Sequence, residues 1–208
     1  MEQVKVFESI HIEVPRESIL RRLGFRAGKT SVTQVKKQQI DRAIDGARVL
    51  ITLKGVAKRV AIKKKNDSII VLESGIIFKS NNLFAFLKEC NEIMLIAATV
   101  GKKITDAISK KSTGKDVETA VIWDALASEM ADGSLNWIQQ YCNRFLRREN
   151  KQLTRNRYSC GYGDFLLENQ KALYGLLELK KLNIKLTKRY ILVPEKSVTA
   201  IAGIKELR

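Results

Sequence analysis

The sequence predicts an α+β fold, an antiparallel or mixed sheet packed against one long central helix. Three observations predict it. Strand-like and helix-like stretches fall in separate blocks instead of alternating as βαβ units do. Ile93 to Val100 is an uninterrupted apolar run closed by Gly101, the pattern of a strand buried on both faces. From Asp116 to about Arg147, apolar and small residues recur at helical spacing behind an Asp suited to capping.

The elements follow in order. Pro15 to Ser18 and the run Ile19 to Phe25 read as a short helix, with Pro in its first turn and Gly24 at its end. Ser31 to Ala47 carries Val32, Val35, Ile40, Ala43 and Ile44, which predicts an amphipathic helix closing near Gly46. Arg48 to Leu53 reads as a strand. Val60 to Ile62 and Ile69 to Leu72 read as a hairpin turning at Asn66-Asp67. Asn82 to Cys90 reads as a helix, and after the Ile93 strand a short helix is expected over Ile104 to Ser109. The long helix presents Val117, Ala120, Val121, Ala127, Ser128, Ala131, Leu135, Ile138, Cys142 and Phe145. Its small residues permit close approach of another backbone or a ligand, and Gly133 weakens the expectation of continuity. Arg155 to Gly163 is a polar loop punctuated by glycine, after which Asp164 is expected to cap a helix over Phe165 to Lys181. Tyr190 to Val193 and Ser197 to Ile201 read as two strands joined across Pro194. Residues 1–208 read as one unit. Its first part, residues 1–92, has no role assignable from its own residues.

Composition excludes several classes. The 208 residues are 45% hydrophobic with only two prolines, so they can bury a core and are neither disordered nor collagen-like. No apolar run approaches the roughly 20 residues of a membrane span, and the start shows no signal-peptide h-region, so a cytoplasmic protein is expected. Cys90, Cys142 and Cys160 are odd in number and widely spaced, which fits a reducing compartment better than a disulfide framework. His11 is the only histidine, and its neighbourhood reads as strand surface. Nucleophilic triads and His-rich metal sites therefore have no basis, no metal ligand set is visible, and the phosphate-cradling GxxxxGK[ST] is missing.

The charge is less decisive. Thirty-eight Lys and Arg against 22 Asp and Glu leave +16 at pH 7. The basic pairs are scattered and not interleaved with aromatics as a nucleic-acid stacking platform would be. Solvated surface, an acidic protein partner and nucleic acid all remain compatible with such a balance.

The segment richest in chemistry is Arg157-Tyr-Ser-Cys-Gly-Tyr162. An arginine fork recognises carboxylate or phosphate, and glycines let main chain approach a ligand. Taken with Ala97-Ala-Thr-Val-Gly101, with Gly114 to Ser128, and with Leu186 to Val198, it resembles the S-adenosylmethionine-binding reactivation domain of cobalamin-dependent methionine synthase, here as a free-standing chain. The resemblance runs from about Ile93 onward.

What the resemblance implies is specific. Arg157 would take the carboxylate of S-adenosylmethionine, with main chain of Tyr158, Ser159, Cys160, Gly161 and Tyr162 around the ligand. Asp132 falls where the family has a glutamate, one methylene longer, so a water bridge is expected there in place of a direct contact. Cys160 replaces a proline of the family loop and is expected to be a packed thiol. The family module continues past the stretch matching Ser197-Val198 and gains ligand contacts there; these have no counterpart here, so a weaker grip is expected. The implied task belongs to methionine biosynthesis: methylation of an accidentally oxidised cobalamin, presented by a partner methionine synthase chain, with S-adenosylmethionine as donor and an electron from a flavodoxin-type reductant. The alternatives are a basic nucleic-acid-binding module and a corrinoid-protein interaction subunit that does not use S-adenosylmethionine.

Overall fold

The computed structural model describes residues 3–26, 28–114 and 116–207. Its fold is α+β, built on a curled antiparallel sheet and one long helix. The strands are β1 (Lys5–Phe7), β2 (Lys54–Asn66), β3 (Ile69–Leu72), β4 (Ile77–Lys79), β5 (Glu92–Thr99), β6 (Lys151–Leu153), β7 (Lys185–Leu186), β8 (Leu192–Val193) and β9 (Ser197–Glu206). The helices are α1 (Arg16–Arg22), α2 (Gln34–Arg48), α3 (Asn81–Phe86), α4 (Lys102–Ser112), α5 (Val117–Leu146) and α6 (Gln170–Leu176). The main sheet runs β4-β3-β2-β5-β9-β6, with β1 also on β2, and β7 pairs with β8 apart from it.

The middle of the sheet is what the apolar run at Ile93 dictates. Every residue from Ile93 to Thr99 is buried. Strand alternation sends Met94, Ile96 and Ala98 into one core, with Ile19, Ile44, Trp123 and Leu126 of the helices. Ile93, Leu95 and Ala97 enter a second core on the opposite face, with Ile70, Phe78, Leu83, Phe165 and Leu173. Strands from residues 1–92 and from the later part thus share one sheet with a core on either face.

Helix α5 is unbroken through Gly133, and the Asp116 carboxylate caps it by accepting from the Thr119 amide at 3.4 Å. A Cβ on Gly133 would stand 2.7 Å from the Ile12 side chain, so the residue that weakens the helix on propensity lets the N-terminal segment lie against it.

Several expectations need correction. Arg48 to Leu53 is not a strand: α2 runs through Gly46 to Arg48, turns through Leu50 N–H to Ala47 C=O, and leaves Val49 82% exposed. A short β-branched run carries no signal separating a strand from a helix end. The hairpin turns at Asp67-Ser68, both at positive φ, one residue beyond the expected place, and β2 extends over thirteen residues. The helix expected from Phe165 to Lys181 is only α6, flanked by single 3-10 turns at Leu167–Asn169 and Leu179–Leu182. The last two strands do not pair with each other. β8 pairs β7, while β9 lies between β5 and β6. His11 lies in exposed extended chain rather than a strand.

Candidate functional site

The loop from Arg155 to Gly163 is fastened to β9. After β6, the Thr154 amide donates to Gly203 C=O at 2.8 Å and the Thr154 hydroxyl accepts from the Gly203 amide at 3.0 Å. Tyr158 and Ile201 then exchange both main-chain hydrogen bonds, at 2.8 and 2.7 Å. The Ser159 hydroxyl donates to Thr199 C=O at 2.8 Å. Tyr158 packs its ring near Phe86 and Phe165 and donates its hydroxyl to Tyr162 C=O at 3.2 Å.

Gly163 is required where it stands. Its φ is +54°, and a Cβ would lie 2.2 Å from the Asn82 amide nitrogen and 2.8 Å from the Tyr158 hydroxyl. The reason for that crowding is Asp164. Its carboxylate caps α3 rather than its own helix, accepting from the Ser80 hydroxyl and from the amides of Asn81 (2.6 Å) and Asn82 (3.2 Å). The Ser80 hydrogen bond, followed by those amides, holds its pKa below the ordinary aspartate value.

This arrangement opens a cleft of about 710 Å³ between the loop, α5, the residues before Pro194 and the start of β9. Of the residues the sequence singled out, Asp132, Arg157, Tyr158, Ser159, Cys160 and Tyr162 line it, and Gly161 does not. Gly161 instead donates its amide to Phe165 C=O at 2.8 Å and helps close the turn. Cys160 is 9% exposed, and burial pushes its thiol up to about 12, so it is a neutral packed group and no nucleophile.

Arg157 is half buried. Its Nη1 donates to Asn136 Oδ1 and to Gln139 Oε1, both at 2.7 Å, and it makes no ion pair among the described residues. Both hydrogens of Nη1 are thereby used. The Nε–H and Nη2–H edge, the edge that grips a carboxylate with two parallel bonds, has no acceptor among the described residues. Burial lowers the Arg157 pKa while the field of Asp132 raises it, and a guanidinium stays charged through either effect.

Asp132 stands at the rim with its side chain 52% exposed, its Oδ2 3.6 Å from Arg22 Nη2. Arg22 also bonds Glu129 at 2.7 Å. Burial first, and Glu129 second, raise the Asp132 pKa against the opposing pull of Arg22 and Arg157. Asp132 acts on Arg157 through its field, without a hydrogen bond between them.

Sequence reasoning missed several residues of the cleft. Glu195 lines it as a carboxylate with no ion pair among the described residues. Buried Gln170 bonds Thr199 at 2.9 Å and forms part of the wall. Asn136 and Gln139, which hold Arg157, had one available signal: with Asn143 they space amides at i, i+3 and i+7 along one face of α5.

The sequence matches no family model and no curated protein. Among solved structures, the chain is similar to the crystal structure of the MetH reactivation domain bound to AdoHcy, with a TM-score of 0.66 at 15% identity, over 97% of this chain and 78% of that chain. At that identity the likeness is one of fold. It spans residues 1–92 as well, the part that the sequence left without a role. Among the described residues no helix is long and apolar enough to cross a membrane.

Proposed function

We propose that this chain binds S-adenosylmethionine in the cleft beside Arg157 and serves as an accessory subunit for reactivating a cobalamin-dependent methionine synthase carried on another chain. One observation carries the reading. A half-buried guanidinium with its carboxylate-gripping edge unclaimed faces a cleft in a fold shared with a domain crystallised with AdoHcy.

The residues present suit the ligand. A sulfonium cofactor carries a carboxylate, an ammonium, a sulfonium and an adenosine. Arg157 offers two parallel donors to the carboxylate. Asp132 and Glu195 are the acidic side chains of the cleft and answer the cationic groups. The Tyr162 ring, 68% exposed, offers a face for the adenine. The volume lies within the roughly 300–1,000 Å³ of small-molecule sites.

The chain's own contribution is binding, orientation and exclusion of water, which needs no general base and no nucleophile. A corrinoid brought by the partner chain would supply the metal that takes the methyl group, and a flavodoxin-type reductant the electron. The surplus of +16 gives the surface a use in transient docking, since complementary charge raises encounter rates.

Calorimetry with S-adenosylmethionine and with AdoHcy tests the reading. Wild type should bind both, and Arg157→Ala should weaken binding by about 1.5–3 kcal/mol, the worth of a hydrogen bond to a charged group. Unchanged affinity in the variant removes Arg157 from the site. Failure of wild type to bind either ligand removes the cofactor from the function.

A further inference from the structure

We infer that Gln139 is the positioning residue that turns the Arg157 fork toward the cleft, acting through a ladder of amide side chains on α5. The inference rests on the proposal that Arg157 grips a ligand carboxylate, and it names the residue that sets the geometry of that grip.

The ladder begins at the edge of the sheet. β6 is the outermost strand on its side, and past it the chain continues into the Arg157 loop. No strand covers the outer edge of β6 among the described residues, and α5 does that work with side chains. Asn143 Oδ1 accepts from the Leu153 amide at 2.8 Å. One turn earlier, Gln139 Nε2 donates to Thr154 C=O at 2.6 Å and to Arg155 C=O at 3.3 Å. Asn136, one turn earlier again, meets Arg157 itself.

Gln139 is the only one of the three that touches both the loop main chain and the guanidinium. Its orientation is forced. Two carbonyls can accept only from the amide nitrogen, so the amide oxygen must face the other way, where Arg157 Nη1 donates to it at 2.7 Å. With Asn136 taking the second Nη1 hydrogen, the guanidinium plane is held at two points from one side. The Nε and Nη2 edge is left without an acceptor among the described residues, on a residue that lines the cleft. The amides are neutral, so they orient the cation without cancelling its charge, as a carboxylate in the same place would.

The chemistry of each substitution then differs. Gln139→Met keeps the volume and removes every bond of the bridge. Gln139→Glu keeps an acceptor for Arg157 but supplies the negative charge that the neutral amide withholds.

The test uses the intact chain with two ligands, AdoHcy and the same thioether lacking its α-carboxylate. Nitrogen-15 NMR of the free protein adds a readout that needs no ligand. In wild type the Arg157 Cζ–Nη1 rotation should be hindered, in Gln139→Met, with Asn136 alone left on Nη1, it should be measurably faster, and in Gln139→Glu it should stay hindered. Gln139→Met should weaken AdoHcy about tenfold, the loss of one ordinary hydrogen bond's worth of alignment, and the carboxylate-free ligand less than about twofold. Gln139→Glu should abolish the preference for AdoHcy over the carboxylate-free ligand.

Equal weakening of both ligands by Gln139→Met would reduce Gln139 to a structural prop and overturn the inference. Unchanged Arg157 dynamics in that variant would overturn it as well. If wild type binds neither ligand, the cofactor proposal falls, while the NMR comparison still decides whether Gln139 orients Arg157.

Discussion

Replacing Gly203 with alanine tests how closely the second core and the Arg157 loop are packed on β9. A methyl group at this position would lie 2.4 Å from Cys90 Sγ and 3.1 Å from both Leu87 Cδ2 and Thr154 Cγ2. Cys90 and Leu87 are fully buried, so neither neighbour can swing into solvent. Forcing a methyl group into such a core costs about 1–3 kcal/mol. Alanine recovers about 0.5–1 kcal/mol of the strand-interior penalty of glycine. These ranges leave a loss of about 0–2.5 kcal/mol, and the close approach to Cys90 Sγ puts the expectation in the upper part, roughly 1–2 kcal/mol, or roughly 2–8 °C in Tm for a domain of this length. Differential scanning calorimetry of a double-mutant cycle with Cys90→Ala is the assay. Removing Sγ clears the shortest contact, so the two substitutions together should cost less than the sum of each by about 0.5 kcal/mol or more. Strict additivity would refute the Cys90 clash, and an unchanged Tm for Gly203→Ala would refute the packing described for this strand.

Two further outcomes follow from titratable groups. Glu92, bonded by Arg59 at 2.7 Å and by Lys151 at 2.8 Å, has its pKa pulled down to about 2, chiefly by the Arg59 hydrogen bond. A depressed folded-state pKa contributes stability that is present above about pH 4.5 and lost as pH falls toward about 2. Urea titrations across that window should show a loss of about 2–3 kcal/mol that Glu92→Gln largely removes, and parallel pH profiles for the two proteins would contradict the pairing. Native Cys160 should react with a thiol reagent at pH 8 at least about a hundredfold more slowly than in the urea-unfolded chain, because its thiol is buried and almost wholly protonated. Comparable rates, followed by mass spectrometry of the labelled peptide, would show an accessible thiolate instead.

What the sequence made legible was whatever has a local cause. The run from Ile93 to Val100 read as a doubly buried strand, and β5 is one. Asp116 and the small-residue periodicity announced α5, and glycines flanking an arginine announced a loop with chemistry. What stayed hidden depends on partners far along the chain. Asp164 looked like the cap of the helix beside it, but α3, more than eighty positions earlier, offers the amides it takes. The amides of Asn136 and Gln139 read as ordinary polar helix surface until the loop folds back to place Arg157 between them. Glu195 has no local pattern at all. Its place in the cleft is set by how the chain returns to begin β9. The final strands were misread for the same reason, since pairing between neighbours in sequence is a local guess and β9 instead lies between β5 and β6.

The Asp164 cap and the registry of β5 bear on how the molecule can be divided. The sequence alone leaves residues 1–92 without a role, which invites cutting near Ile93. Such a cut would strip β5 of β2, with which it is in register from Lys54 opposite Thr99 to Ala61 opposite Glu92. It would leave a long apolar ribbon bare on one side, a template for aggregation. It would also take away the α3 amides that anchor the far end of the Arg157 loop. The amino-terminal residues, silent about chemistry in their own composition, are therefore the scaffold on which the loop carrying Arg157 stands.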